Sequence, residues 1–151
     1  MAIRNIITQD NEVIRKISKP VKVFDENLEI LLDDMYETMT KANGCGIAAV
    51  QVGVLKRAVI VETNGLKLEL VNPVITKSSG RQIGQEGCLS VKNIRGEVER
   101  PYTVTVKAYD RYGNEMILTF NDFVARAICH ELDHLDGILF IDKMTNTKER
   151  K

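Results

Sequence analysis

The segment that decides the fold is NDFVARAICHELDHLDG, residues 121–137, near the carboxyl end of the chain. Apolar residues recur in it at helical spacing, which predicts one long helix. Asn121 and Asp122 are suitable residues for its start, and Asp136–Gly137 is a typical end. Several of its apolar side chains must be covered, so we expect the rest of the chain to bury this helix.

A second helix is predicted nearer the N-terminus, over FDENLEILLDDMYETMTKANG, residues 24–44. Asp25 is a plausible N-cap, and Asn43–Gly44 is a stop signal. Between these signals, leucines and methionines recur at helical spacing. The chain is therefore expected to carry a helix on either side of its middle part.

In the middle part of the chain, apolar and polar residues alternate with the period that is typical of strands. RAVIVE, residues 57–62, and LKLELV, residues 66–71, flank Asn64–Gly65, which is a strong hairpin signal. Residues 102–110 and 115–120 alternate with period 2 around the turn sequence RYGN and predict a second hairpin. The order of helix, strands and helix indicates an α+β fold, with antiparallel sheets packed around the C-terminal helix and with an N-terminal helix.

Composition narrows the class of protein. The 151 residues contain no repeat or linker, so one domain over residues 1–151 is expected. The net charge of +0 gives no reason to expect nucleic acid as a partner, and no apolar run approaches the roughly 20 residues of a membrane helix. Three cysteines and no signal peptide predict reduced thiols and a cytoplasmic protein. The polar tail TNTKERK, residues 145–151, is predicted to fray.

The two histidines of the chain, His130 and His134, lie on the predicted C-terminal helix. Residues at i and i+4 share one helix face, so both imidazoles can bind one ion. Glu131 projects to the side, where its carboxylate can reach a water molecule without binding the ion. This H-E-x-x-H pattern predicts a metal site. Asp133, within the motif, points partly away and is interpreted as an outer or surface residue.

A catalytic metal site usually needs a third protein ligand. The downstream carboxylates are poorly placed, because they lie next to the helix end or in the tail (Asp136, Asp142 and Glu149). Upstream, Cys88 lies in the tight polar segment GQEGCLS, residues 84–90, and is the best candidate. Cys45, in a glycine-rich loop, stays a rival. Cys129 projects about 100° away from His130 on the helix and is a poor ligand.

Three stretches occur together in this chain: GCGIAAVQVG (residues 44–53), EGCLS (residues 86–90) and HELDH (residues 130–134). In this order and spacing they resemble the three motifs of bacterial peptide deformylases. The resemblance extends from about Ile3 to Met144. The short length, without obvious insertions, is similar to the compact form of that family.

The resemblance implies a function. Cys88, His130 and His134 match the family's metal ligands, and Glu131 matches its general acid/base. Gln51 and the backbone N–H of Leu89 match the groups that stabilise the oxyanion. The implied reaction removes the formyl group from N-formylmethionyl nascent peptides, with metal-bound water as nucleophile, and releases formate. The implied cofactor is one Fe(II) ion per chain, for which Ni(II), Co(II) or Zn(II) can substitute. The ribosome surface near the exit tunnel is an implied partner.

Substrate-binding residues are carried over in the same way. They are Cys45, Gly46, Gly87, Arg95, Phe123 and Ala127. Gly46 matches the loop that pairs with the peptide, whereas Cys45, Phe123 and Ala127 are candidate walls of a methionine pocket; Phe123 can equally be a core residue. Two positions depart from the common family pattern. Val50 precedes Gln51 and Cys129 precedes His130, and Cys129 is expected to place an oxidisable thiol near the site.

Two other interpretations of the pattern are open. One is a different H-E-x-x-H metallopeptidase, which would use a third ligand other than Cys88 and cut internal peptide bonds. The other is a non-catalytic module with a structural metal, which would close a four-ligand site by recruiting Cys45 or Cys129. In that module Glu131 would have no role.

Overall fold

Two long helices flank the strands of the chain in a computed structural model, which describes residues 2–145. Helix α1 spans Glu26–Lys41 and helix α2 spans Asp122–Leu135. Asp25 caps α1, because its carboxylate accepts a hydrogen bond from the Leu28 N–H at 3.2 Å. Both predicted helices are confirmed.

Seven strands form two sheets within the described residues. Their bounds are β1 (Gly46–Ala48), β2 (Ala58–Thr63), β3 (Leu66–Ser79), β4 (Gln82–Cys88), β5 (Val91–Arg100), β6 (Thr103–Tyr109) and β7 (Glu115–Asn121). One sheet has the order β1-β2-β3-β6-β7, and β4 and β5 form a separate two-stranded sheet. All pairs of these strands are antiparallel. Short 3-10 helices cover Glu12–Arg15, Ala49–Val52 and Phe140–Asp142.

The two predicted hairpins are the pairs β2–β3 and β6–β7. Asn64 and Gly65 both have positive φ at the first turn, as their residue types predict. The β4–β5 hairpin was not predicted from the sequence. Strand β4 reads QIGQEGC, and its one buried residue is Glu86, so its inward face lacks the apolar alternation that identifies a strand.

Helix α2 lies at the centre of the fold. Ten of its 14 residues are buried, so it needs neighbours on nearly every side. Apolar residues of the large sheet, of β5 and of the 3-10 segment at Phe140 pack with α2 in one core cluster, and α1 packs with β1 and β2 in a second. The predicted α+β fold, with antiparallel sheets around the C-terminal helix, is confirmed.

The two ends of α2 differ in how well the sequence predicts them. Asp136 is the C-cap and Gly137 follows with φ +75, as expected. Asn121 is the N-cap residue but its side chain caps nothing in α2. The Asn121 Oδ1 instead accepts a hydrogen bond from the Thr103 hydroxyl at 2.8 Å. The predicted fraying of residues 145–151 lies outside the described residues except at Thr145.

None of the helices in the part of the chain from residue 2 to residue 145 is both long and apolar enough to span a bilayer.

Gly137 is the position where the end of α2 depends most strictly on glycine. A Cβ there would lie 2.3 Å from the carbonyl oxygen of Arg15, in addition to the strain of a positive φ. We expect Gly137→Ala to lower the free energy of unfolding by about 1–3 kcal/mol, measured by urea denaturation. Gly65→Ala is the matched control, because Gly65 also has positive φ but a Cβ added there would meet no atom within 4 Å. Equal losses in the two variants would contradict the steric argument.

Candidate active site and metal centre

Three side chains capable of binding a metal ion converge between β4 and α2. One ligand atom from each of Cys88, His130 and His134 lies within 4.8 Å of the others. Cys88 is the last residue of β4, and the two histidines lie one turn apart on the face of α2 that meets it. The Cys88 Sγ is 3.3 Å from the His134 Nε2. The missing third ligand therefore comes from upstream.

The donor set fits a transition-metal ion. A thiolate and two imidazoles suit borderline-soft divalent metals such as iron and zinc, and not magnesium or calcium. Burial lowers the pKa of His134 to about 3, so its ring is neutral, which is the form that binds metal. Within the described residues, the cluster has three ligands and includes neither Cys45 nor Cys129. A set of three protein ligands leaves one position on the ion for a catalytic water, whereas a structural site closed by four ligands leaves none.

Glu86 contacts the His130 ring at its Nδ1 atom. Its Oε1 lies 2.9 Å from the His130 Nδ1, an arrangement that leaves the Nε2 of that ring for an ion. Arg100 donates two hydrogen bonds to the Glu86 carboxylate, each at 2.9 Å, and Arg126 donates a third at 2.6 Å. Burial would raise the pKa of Glu86, but the hydrogen bonds from Arg100 and His130 lower it to about 2. Glu86 is therefore an ionised acceptor for the histidine at neutral pH.

Replacing Glu86 should weaken metal binding without removing a ligand. We expect Glu86→Gln to lower metal affinity by about 10–100-fold, because groups that orient a ligating histidine typically contribute that much. The measurement is competition with a chromogenic chelator under anaerobic conditions. Glu99→Gln, an exposed glutamate on β5, removes the same charge and should leave the affinity unchanged. An unaltered affinity in Glu86→Gln would show that this contact does not orient His130.

Glu131 presents a buried carboxylate beside the ligands. Its Oε1 is inaccessible to solvent and has no hydrogen-bond partner among the described residues. Burial raises the pKa of Glu131 to about 7. A Cβ on Gly46 would lie 2.5 Å from the Glu131 Oε2, so the absence of a side chain at that position makes room for this carboxylate. A group with a pKa near neutrality is suited to accept and return a proton.

The Gln51 side chain is fixed at both ends. Its Oε1 accepts a hydrogen bond from the Ala48 N–H at 2.9 Å. Its Nε2 donates to the Ser90 hydroxyl at 3.1 Å and to the Cys88 Sγ at 3.6 Å. The amide donor is thus held next to a metal ligand, and Leu89 lies in the same segment between Cys88 and Ser90.

A cleft of about 350 Å³ opens onto these groups. Gln51, Cys88, Leu89, His130 and Glu131 all contribute to its wall. The six residues predicted to bind substrate also line it: Cys45, Gly46, Gly87, Arg95, Phe123 and Ala127. His134 lies deeper and is fully buried. The structure therefore brings every predicted site residue to one place.

Three residues near the motifs lie elsewhere. Cys129 is buried and borders a separate cleft with Arg57. Its thiol does not line the active-site cleft, so the expectation that it lies near the site is wrong. Burial raises its pKa to about 11, which makes it a poor thiolate. Asp133 accepts a hydrogen bond from Arg100 at 2.6 Å and is not a ligand. Val50 is fully buried in the core.

The residues that support the ligands were not predicted in that role from the sequence. They are Glu86, Ser90, Arg100 and Arg126. The sequence contained one indication of the role of Glu86. It lies two positions before Cys88, and residues two apart in a strand share a face. Arg100 carried no such signal, since an arginine on a strand is more often solvated.

This fold and this site define a metal-dependent hydrolase of the H-E-x-x-H kind, in which two ligands and a glutamate lie on a buried helix and a cysteine completes the ligand set from a neighbouring strand. Residues 3–150 match the family described as polypeptide deformylase, and the chain belongs to that family. It is a metal-binding enzyme of protein biosynthesis that removes the N-formyl group from nascent peptides.

Individual proteins similar to this chain are peptide deformylases. The peptide deformylase of Caldicellulosiruptor bescii is 57% identical over 144 residues, covering 95% of this chain and 87% of the relative. The crystal structure of a peptide deformylase from Legionella pneumophila aligns with a TM-score of 0.93 at 41% identity, over 98% of this chain and 89% of that one. The class I type b enzyme from Acinetobacter baumannii, solved with Met-Ala-Ser bound, aligns with a TM-score of 0.90 at 36% identity, over 94% and 98%. The predicted compact form is confirmed.

Proposed function

We propose that Cys88, His130 and His134 hold one Fe(II) ion, and that Glu131 carries the proton during hydrolysis of the formyl group of N-formylmethionyl peptides. The observation that carries this proposal is the convergence of three ligand atoms within 4.8 Å, beside the buried Glu131 Oε1, which has no hydrogen-bond partner among the described residues. When bound, the metal ion would polarise the formyl carbonyl and lower the pKa of water so that it attacks at neutral pH. Ni(II), Co(II) and Zn(II) suit the same ligands.

Glu131 has two tasks in this proposal. It accepts a proton from the attacking water as the new C–O bond forms at the formyl carbon. It then gives this proton to the nitrogen as the C–N bond breaks, so that formate and a free N-terminal amine leave. Its burial and its raised pKa, about 7, support both tasks, because a single group must be able to hold and release the proton near neutral pH.

Gln51 and Leu89 would stabilise the negative charge that develops on the formyl oxygen. The Gln51 Nε2 is held near Cys88, and the backbone N–H of Leu89 follows directly in the chain. Donors fixed in advance need no reorganisation when the charge appears, and loss of one such donor typically lowers the rate by about 10²–10³-fold. The contact of Gln51 with Ala48 supports this role because it fixes the side chain.

We place the substrate peptide in this cleft. Gly46 and Gly87 border it where an extended peptide can approach the backbone closely, and Cys45, Phe123 and Ala127 form the pocket for the methionine side chain. Arg95, also on the wall, would meet the carboxyl-ward part of the peptide. A bound Met-Ala-Ser peptide in the Acinetobacter baumannii relative supports a peptide ligand of this kind.

The physiological setting is part of the same proposal. Formylated N-termini arise on nascent chains, so the substrates would be met in the cytoplasm, at the ribosome surface near the exit tunnel. Fe(II) bound through a cysteine makes the site sensitive to air, because a thiolate is readily oxidised.

Mass spectrometry of the products distinguishes this reaction from internal peptide cleavage. Anaerobically purified protein should convert formyl-Met-Ala-Ser to Met-Ala-Ser and formate, with the peptide bonds intact. An unformylated peptide of the same sequence should be left uncut. Cleavage within the peptide would instead identify a metallopeptidase, and no change in either peptide would identify a metal-binding module without catalysis.

A further inference from the structure

Asp122, the first residue of α2, has a backbone conformation that residues with a side chain rarely adopt. Its φ is +59, in the left-handed region. The next residue is Phe123, whose side chain lines the substrate cleft. The angle at Asp122 therefore sets the direction in which the chain enters α2 and the position from which Phe123 projects.

Contacts from outside the helix hold Asp122 in this conformation. Its N–H donates a hydrogen bond to the carbonyl oxygen of Tyr102 at 2.8 Å. The side-chain amide of Gln82, on β4, donates to the carbonyl oxygen of Asp122 at 2.7 Å and to that of Pro101 at 3.0 Å. Asn121, the N-cap residue, makes no side-chain bond to the helix. Gln82 thus ties the first residue of α2 to the β4–β5 hairpin.

The position of the Phe123 side chain depends on the hydrogen bond from Gln82 to Asp122, because packing alone holds this side chain weakly. Its side chain is among the exposed large hydrophobic residues, with 43% of its surface accessible. Ala127, one turn further along α2, is buried and lines the same cleft. The pocket thus has one rigid wall within the helix and one wall at the strained helix start.

We propose that Gln82 is a positioning residue that fixes Phe123 through Asp122 and thereby determines which first side chain the pocket accepts. This inference rests on the proposed function, in which Phe123 and Ala127 enclose the methionine side chain. Loss of Gln82 would remove the hydrogen bond from β4 to the Asp122 carbonyl oxygen, and the N–H bond to Tyr102 would then hold the positive φ less firmly. The Phe123 wall would then move, and the pocket would admit bulkier side chains.

The test compares two formylated peptides that differ in the first side chain. kcat/KM is measured for formyl-Met-Ala-Ser and formyl-Phe-Ala-Ser with wild type and Gln82→Ala. We expect the preference for methionine to fall about 10-fold, within the range that pocket shape usually contributes to discrimination, with metal content unchanged. Ile83→Ala is the matched control, since Ile83 is the next residue of β4 and its side chain is 55% exposed. If Gln82→Ala does not fold, Gln82→Met replaces it, because methionine keeps the side-chain length without the donor.

A second substitution separates positioning from general loosening of the structure. Glycine adopts a positive φ without strain, so Asp122→Gly should keep wild-type preference and should restore most of it in the Gln82→Ala background. An unchanged preference in Gln82→Ala, or no recovery in the double variant, would overturn the proposal. If wild type releases formate but the ratio does not move, this inference alone fails. If wild type releases none, the proposed function fails.

Discussion

Replacing Glu131 with alanine should slow formate release from formyl-Met-Ala-Ser by about 10²–10⁴-fold, the usual contribution of a positioned general acid/base. Glu131 is buried, its Oε1 has no hydrogen-bond partner among the described residues, and it faces the cleft that contains the metal ligands. Among the described residues, the nearby carboxylates of Glu86 and Asp133 offer no replacement, because Arg100 holds both of them. The effect should therefore appear in kcat.

The same variant distinguishes a proton carrier from a metal ligand. Glu131 is not among the three converging ligand atoms, so Glu131→Ala should bind as much metal as wild type, measured by elemental analysis. Glu115→Ala, which removes an exposed glutamate of β7, should leave both activity and metal content unchanged. Full activity in Glu131→Ala would refute its role as the base. Loss of metal together with activity would make Glu131 a ligand instead.

Cys88→Ala should abolish metal retention, with the affinity lowered by more than about 100-fold, because removal of a ligand costs more than removal of an outer contact. Two histidines remain, and they are rarely sufficient. Activity should fall in proportion to the metal lost. Elemental analysis of protein purified without oxygen, followed by chelator competition, measures the change.

The other two cysteines provide matched controls for Cys88. Cys129→Ala removes a buried thiol of α2 that borders a separate cleft, and Cys45→Ala removes a thiol on the wall of the active-site cleft. Both variants should keep the wild-type metal content. If Cys45→Ala lost the metal while Cys88→Ala kept it, the third ligand would be Cys45, the rival that sequence spacing left open.

The sequence predicted the parts of the molecule that depend on local pattern. The spacing of His130 and His134 follows from helical periodicity, and the Asn64–Gly65 turn follows from the need for positive φ. Cys88 lies on a different element, and elimination left it as the best candidate for the third ligand with Cys45 as a rival. The resemblance of the ordered motifs to peptide deformylases then implied Cys88. The structure confirms this ligand set.

The parts that could not be predicted depend on contacts between distant residues. Glu86 is buried through ion pairs with Arg100, 14 positions away, and a contact with His130, 44 positions away. Because the buried residue of β4 is charged, the sequence of this strand lacks the apolar alternation of a typical strand. The β4–β5 hairpin was therefore not predicted. The positive φ of Asp122 is held by Gln82, 40 positions earlier, and nothing in the local sequence indicates it.

In the proposed mechanism, one ion held by Cys88, His130 and His134 supports hydrolysis of the formyl group. The most direct test is an anaerobic titration of metal-free protein with Fe(II), in which formate release from formyl-Met-Ala-Ser is followed after each addition. The rate should rise linearly and reach a plateau at one ion per chain, and Cys88→Ala should show no such plateau. Fully metal-loaded protein that releases no formate, or a rate that is independent of added metal, would contradict the claim.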